Sequence, residues 1–239
     1  MDSIAETTSE LDVEISVVVD SGPEFRFSKS INLGIQRTRE CDAWVLVNDD
    51  CTFSRDWLGK MLDAAESDPN IGLVGAVIFG PKGEIDHAGG FLTTKFTEGF
   101  REMLRRRMYA QAIRMPFRNA IFRKRGEGVE PFHYDSVNSE NRLDFLTGAC
   151  LLVTKELHEA IGEWDEGFRF TWEDTDYALR ALEGGFELCL STESIVKHKV
   201  RATGRKWGPE TWGSGRFFRE KWNCRRIEEL TRGRKGIYF

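Results

Sequence analysis

The sequence predicts an α/β fold, a sheet flanked by helices, and three observations carry that expectation. "VEISVVVD" (13–20) and "AWVLV" (43–47) are near-continuous apolar runs rich in β-branched residues, the pattern of strands buried on both faces. "SKSINLGIQRT" between them reads as a helix, so the order strand–helix–strand points to a parallel βαβ unit. The second run leads straight into Asn48, Asp49 and Asp50, and parallel sheets bind ligands beyond the carboxyl ends of their strands.

Taken in order, the chain opens with a polar, acidic stretch, residues 1–12, expected as a flexible tail. The strand 13–20, the helix and the strand 43–47 follow. The next helix is expected to start near Ser54, a good N-cap, with Asp56 in its first turn. Trp57, Leu58, Met61, Leu62 and Ala65 form its apolar stripe. "IGLVGAVIF" (71–79) is another strand, and "GPKGEIDHAGG" (80–90) is a turn-rich loop. Residues 100–125 carry nine basic side chains against one acid, interleaved with Phe100, Leu104, Met108, Ile113, Phe117 and Phe122. Pro116 breaks or kinks the helical pattern there. "DFLTGACLLVT" (144–154) is a strand whose Gly148 permits close backbone approach. Thr154 caps the helix that stops at Gly162. A second short helix opens around Glu173 and Asp174 and closes at Gly184. "FELCLS" (186–191) and "SIVKH" (194–198) are the last strands, ahead of a basic, aromatic segment, residues 201–239.

Composition narrows the function classes. A length of 239 residues allows a sizeable core, and a net charge of −5 argues against a general nucleic-acid binder. The five cysteines show no CxxC spacing, which favours reduced thiols over a disulfide framework or a zinc site, and so a cytoplasmic setting. The first dozen residues do not have the make-up of a signal peptide, and no apolar run approaches the ~18 residues needed to span a bilayer.

The acids fall into two separated groups, Asp49/Asp50 and Glu173/Asp174/Asp176, with His198 ending a later strand. Adjacent carboxylates on a loop can hold a divalent cation whose shell substrate phosphates complete, as Mg²⁺ prefers. Solvated loop acids would look the same in sequence. Glu173 and Asp174 would equally complement a helix dipole, although with Asp176 they exceed what capping needs. His87 and His198 could each be ordinary surface or core histidines, and the glycines after His87 a simple turn.

The order of segments decides more than any one motif. "FSKSINLGI", "WVLVNDDCTFSRDWL", "GLVGAVIFGPKGEIDHAGG", "LTGACLLVTKE", "IGEWDEGFRFTWEDTDYALRALEGGFEL" and "VKH" together closely resemble family 2 glycosyltransferases with the GT-A fold, in the branch that decorates surface polysaccharides and glycoproteins. The resemblance covers roughly residues 13–200, making them a GT-A-like catalytic domain with a basic-aromatic insertion at about 100–128 and a basic helical extension at 201–239. It implies a Rossmann-like, mixed and mostly parallel sheet flanked by helices. It also implies a donor that is a nucleotide-sugar, an acceptor that is a glycan or is lipid- or protein-linked, and Mn²⁺ or Mg²⁺ as cofactor.

The resemblance carries over to positions as follows. "NDD" looks like the DXD-type motif, with Asn48 and Asp50 in the D-x-D places, Asp49 between them, and Asp50 as the metal contact through the donor diphosphate. "EDTD" looks like the acceptor-side acid motif, placing Asp174 as the catalytic base beside Glu173. His198 matches a histidine that reaches the metal or diphosphate, Asn32 a position lining the nucleotide pocket, and His87 the "HAG" signature of the branch. Arg201, Arg205 and Lys206 are either diphosphate contacts or a solvated basic loop. In an inverting transfer the base takes the acceptor hydroxyl proton, while metal and cationic side chains offset the charge of the leaving diphosphate.

One departure qualifies this. Family members begin with a further strand and helix that bind the base, so the chain is expected to be N-terminally shortened by roughly fifty to seventy residues. If 13–20 is the family's second strand, Asp20 contacts the base; if it is the third, Asp20 has no such role. The alternatives are a non-catalytic or split-enzyme module of the same family, and a metal-dependent phosphohydrolase using the same acids. Residues 100–125 read as a lipid-facing patch at the inner face of the membrane, an amphipathic helix pair packed on the core, or a contact between copies in a homo-oligomer.

Overall fold

Two strands at the centre set the architecture. In a computed structural model that describes residues 2–8, 11–20, 24–38, 40–92, 142–199 and 209–239, β3 (Ile71–Phe79) and β6 (Glu187–His198) run parallel through the middle of the sheet. Along β3, Leu73 enters one core and Ile71, Val74, Ala76 and Ile78 the other, all essentially inaccessible to water. That burial on both faces is why the run reads as continuously apolar.

Around this pair lie β1 (Ala43–Val47), β2 (Cys51–Phe53), β4 (Ile85–His87), β5 (Cys150–Thr154) and β7 (Ile237–Tyr238). The sheet order is β1-β5-β3-β6-β2, with β4 also on β3 and β7 also on β6. Helix α3 (Trp57–Glu66) covers one face through Trp57, Leu58, Met61 and Ala64. The other face is covered by α2 (Phe27–Arg37), α4 (Lys155–Ile161), α5 (Glu173–Glu183), α6 (Pro209–Lys221) and α7 (Cys224–Thr231). Trp164 stacks on Tyr177 there, at 4.2 Å between ring centres.

The α/β class and the flanking helices match the sequence expectation, but the sheet is not mostly parallel. Only β3–β6 and β6–β7 are parallel; β1–β5, β3–β5, β3–β4 and β2–β6 are antiparallel. The expected βαβ unit does not form, because residues 13–20 join no ladder among the described residues. They lie along α2, with Val18 over Gly34 and the Asp20 carboxylate accepting from Ser30 Oγ at 3.1 Å. Val13, Ile15, Val17 and Val19 are left 38–90 % exposed, and among the described residues β1 is an edge strand paired only with β5.

Smaller corrections have local causes. Residues 2–7 of the expected tail form helix α1 (Asp2–Thr7), which packs near β2, where Trp57 Nε1 donates to Thr7 Oγ1. Ser54 does not cap α3: its N–H is drawn to Ile195 O beside the β2–β6 ladder, and Asp56, at φ 61°, precedes the helix. Of residues 144–154 only β5 pairs as a strand, with Phe145 bridging to Gly90. The two expected last strands are one, β6, with a register shift opposite Ala76/Val77. Thr154 does cap α4, accepting from Leu157 N, and α4 ends at Gly162, φ 77°.

A buried carboxylate locks the C-terminal helices to α5. Asp176 is 0 % exposed and accepts from Arg180 Nε at 3.1 Å, Lys221 Nζ at 3.0 Å and Trp222 Nε1 at 2.7 Å. Removing one partner of a buried ion pair strands the others, a loss of about 3–5 kcal/mol. Asp176→Ala is expected to lower the unfolding free energy in urea by about that much, and Asp176→Asn by less because its amide oxygen still serves Trp222. A change in Asp176→Ala within about 1 kcal/mol would contradict this role.

Candidate functional site

β1 ends at Val47, and a tight turn follows in which Cys51 N–H donates to Asn48 O at 3.3 Å. The chain then enters β2, which runs antiparallel to the far end of β6 with Cys51 opposite His198. This return brings residues 150 positions apart into contact: Asn48 Nδ2 lies 3.4 Å from His198 Nε2. Asp50 Oδ1 lies 2.9 Å from the same nitrogen, and Asp50 O accepts from Lys199 N. On the ring's other side, His198 Nδ1 is 3.6 Å from Asp86 Oδ2, an ion-pair separation longer than a hydrogen bond. Asp86, set against burial, and then Asp50 raise the imidazole above its ordinary pKa.

Donor atoms of Asp50, Cys51 and His198 all lie within 4.8 Å of one another, a spacing that suits one cation. Burial, then Asp50, pushes the Cys51 thiol up to about 12, so it stays protonated and is a poor ligand. The remaining carboxylate and imidazole suit Mn²⁺ or Mg²⁺ with other positions left to a substrate's oxygens. Asp49 is exposed.

The second acidic group stands at the start of α5, on a strained approach. Thr171 and Trp172 both have left-handed backbone, φ 73° and 75°, a conformation that costs non-glycine residues roughly 1–3 kcal/mol each and clusters at functional sites. Glu173 is 7 % exposed, and burial, then the neighbouring Asp174, pushes its carboxyl up to about 8. Its Oε2 is buried without a hydrogen-bond partner. At neutral pH Glu173 therefore keeps its proton. Asp174 Oδ2 accepts from Gly148 N at 3.2 Å and Oδ1 from Thr175 N at 2.8 Å.

Two consecutive residues join the groups. Gly148 N–H holds Asp174, and the next carbonyl, Ala149 O, accepts from Asn48 N at 3.0 Å. A Cβ on Gly148 would stand 2.8 Å from the Phe27 ring, so the close approach expected there is realised and excludes larger residues. The structure thus brings Asn48, Asp50, His198, Asp174 and Glu173 into one region at the sheet end. Sequence reasoning missed Thr171, Trp172 and Asp86; positive φ in a "FTW" run and a single acid in a turn leave no signal in sequence.

Other expected site residues lie elsewhere or are otherwise engaged. Asn32 is 3 % exposed and bridges α2 to the 164–166 turn, donating to Trp164 O and Glu166 Oε1 and accepting from Trp164 N. Its amide is spent on packing rather than on lining a nucleotide pocket. His87 is turned inward: its Nδ1 accepts from Gly89 N, and its ring meets Phe145 edge-on. That is the turn alternative of the sequence reading. Asp20 is exposed and holds Ser30. Arg201, Arg205, Lys206 and residues 100–125 lie outside the described residues. A cavity of about 220 Å³ between Asn32, Trp44, His158 and Glu163 contains none of the paired acids; it lies toward the start of β1, away from Asn48.

Comparison with known proteins bears on the fold and the family. A family model described as glycosyltransferase like family 2 matches residues 2–209. An N-acetylglucosaminyl-diphospho-decaprenol L-rhamnosyltransferase of Mycobacterium tuberculosis is 28% identical over 166 residues, 69% of this chain and 50% of that protein. The O-antigen biosynthesis protein RfbC of Myxococcus xanthus is 24% identical over 160 residues, 67% of this chain and 11% of that protein. The chain thus spans half or less of the length of these relatives. The structure of GalNAc-T7 with UDP, GalNAc and Mn²⁺ superposes with a TM-score of 0.57 at 13% identity, covering 86% of this chain and 36% of that one. The fold is that of GT-A glycosyltransferases, and the chain belongs to the glycosyltransferase family 2-like family.

Glu173 generates a pH dependence. Its folded pKa of about 8 lies above the ordinary 4.5, so the stability it contributes is complete below about 4.5 and is lost as pH rises through about 8. The melting temperature is expected to fall between about pH 5 and pH 8.5, and Glu173→Gln, which cannot ionise, to flatten that fall. Parallel profiles for wild type and variant would contradict it.

Proposed function

We propose that this chain is the catalytic core of a metal-dependent, inverting glycosyltransferase that moves a sugar from a nucleotide-sugar to a glycan, lipid-linked or protein-linked acceptor. The observation that carries the proposal is the Asp50–His198 pair joined through Gly148–Ala149 to Asp174, a cation site and a base on one sheet end. Asp50 and His198 would hold Mn²⁺ or Mg²⁺, which supplies charge neutralisation for the donor diphosphate. Asp174, oriented by two backbone N–H groups, takes the acceptor hydroxyl proton as that oxygen attacks the anomeric carbon. Glu173 beside it stays neutral, so no second charge opposes the base or draws a second cation. Asn48 orients the Asp50 loop through Ala149 and His198.

The mycobacterial relative's name supports a polyprenyl-diphosphate-linked saccharide as acceptor. Such an acceptor would draw the chain to a membrane surface, and the basic-aromatic residues 100–125 suit that contact; no helix among the described residues is long and apolar enough to cross one. Arg201 and Arg205 are proposed to meet the diphosphate. A second reading, a split-enzyme or binding module, is favoured by one observation: Val13, Ile15, Val17 and Val19 are exposed, and among the described residues neither 13–20 nor the outer edge of β1 joins a further strand. A chain that binds donor and metal but transfers sugar only with a second polypeptide present would favour it.

Mn²⁺ together with the matching nucleoside diphosphate is expected to raise the melting temperature by mass action, more than either alone. The proposal fails if no uridine, guanosine or thymidine diphosphate does so with Mn²⁺ or Mg²⁺. Asp174→Asn is expected to cut transfer by roughly 10²–10⁴-fold while leaving that thermal shift in place. An active Asp174→Asn variant would remove Asp174 from the role of base.

A further inference from the structure

His198 is flanked on both ring nitrogens, and the two sides differ. Asp50 and Asn48 face Nε2; Asp86 faces Nδ1. Asp86 sits in the middle of β4, held against β3 by the pairing of Ile78 with His87 and Phe79 with Ile85. β6 runs one residue past the end of β3, since Phe79 is opposite Lys197, and His198 therefore clears the strand that separates β4 from β6. Asp86 reaches it around that end. Among the described residues Asp86 has no other ion pair or hydrogen bond, caps no helix and closes no turn. Nor do its oxygens belong to the cluster of donor atoms that closes within 4.8 Å.

An imidazole that binds a cation through Nε2 must carry its proton on Nδ1. A carboxylate at Nδ1 favours that tautomer, aims the ring and makes Nε2 more basic. At 3.6 Å Asp86 acts on Nδ1–H through its charge rather than through a formed hydrogen bond, and from the Nδ1 side it does not share the cation at Nε2.

We propose that Asp86 is a positioning residue that holds His198 in the Nδ1–H tautomer with Nε2 presented to the divalent cation beside Asp50. This rests on the metal-dependent reading above and adds to it a residue that acts only through His198. It also gives "GEIDHAGG" a division of labour: His87 builds the turn through Gly89, and the preceding acid faces the site.

The test is Mn²⁺ binding, measured by electron paramagnetic resonance on the full chain, with Mn²⁺ alone and with uridine, guanosine or thymidine diphosphate added. Asp86→Asn is expected to weaken Mn²⁺ binding by roughly 10–100-fold, and Asp86→Glu to recover most of the loss. Because the Asp86 side chain is 38 % exposed, both variants should melt close to wild type, which separates a lost site from a lost fold. If Asp86→Asn binds Mn²⁺ within twofold of wild type while His198→Ala loses it, Asp86 has no such role and the metal site stands. If wild type binds no Mn²⁺ under any of these conditions, the metal-dependent reading fails and this one with it.

Discussion

The buried carboxylate of Asp176 is the constraint on which the rest of this structure depends. It sits within the first turn of α5, and three donors converge on it, Arg180 from the same helix and Lys221 and Trp222 from the C-terminal segment. Lys221 also pairs with Asp165, and Arg180 also reaches Ile161 O and Glu163 O, so one carboxylate ties together α4, α5, α6 and the turn between α4 and α5. A buried charge tolerates no slack, because any displacement leaves an ion without a partner in a low-dielectric interior. The start of α5 is therefore fixed, and Glu173 and Asp174, three and two residues ahead, inherit its position. The left-handed backbone at Thr171 and Trp172 is held against its own cost by the same network and by the packing of Trp172 on Phe218.

A second constraint works from the sheet. The single twelve-residue strand β6 carries His198 to the place where β1 ends, because β2 folds back along it. The Asp50 loop is thus closed by strand pairing, a more rigid support than a loop alone. Gly148 and Ala149 connect the two constraints through consecutive backbone groups, one serving Asp174 and the other Asn48. The space for this link exists only because Gly148 has no Cβ to meet Phe27.

Much of this was legible in the sequence, and the reason differs from element to element. β1, β3, α3, α4 and α5 were readable because burial periodicity and capping are local: Thr154 and Gly162 bracket α4 by their own chemistry. The residues 13–20 were misread because their β-branched pattern states a readiness to pair, while pairing needs a neighbour. Only the fold shows that α2 is the one surface Val18 finds and that the alternate valines remain in water. Asn32 was placed at a nucleotide pocket by resemblance, whereas its amide bridges α2 to the 164–166 turn.

The sequence by itself determined the α/β class, the family, and the residue types at issue: two carboxylates at a strand end, two more at a helix start, and a histidine after the last long strand. Those are local or ordered signals, and they survive without knowledge of distance. Only the tertiary structure decided which acids work together and in what state. Asp50 and His198 are 148 positions apart, yet they meet at 2.9 Å through an antiparallel return that no local pattern announces. Glu173 and Asp174 are neighbours of the same chemistry, yet it is Glu173 whose carboxyl burial pushes up to about 8, because desolvation depends on what the chain packs around it.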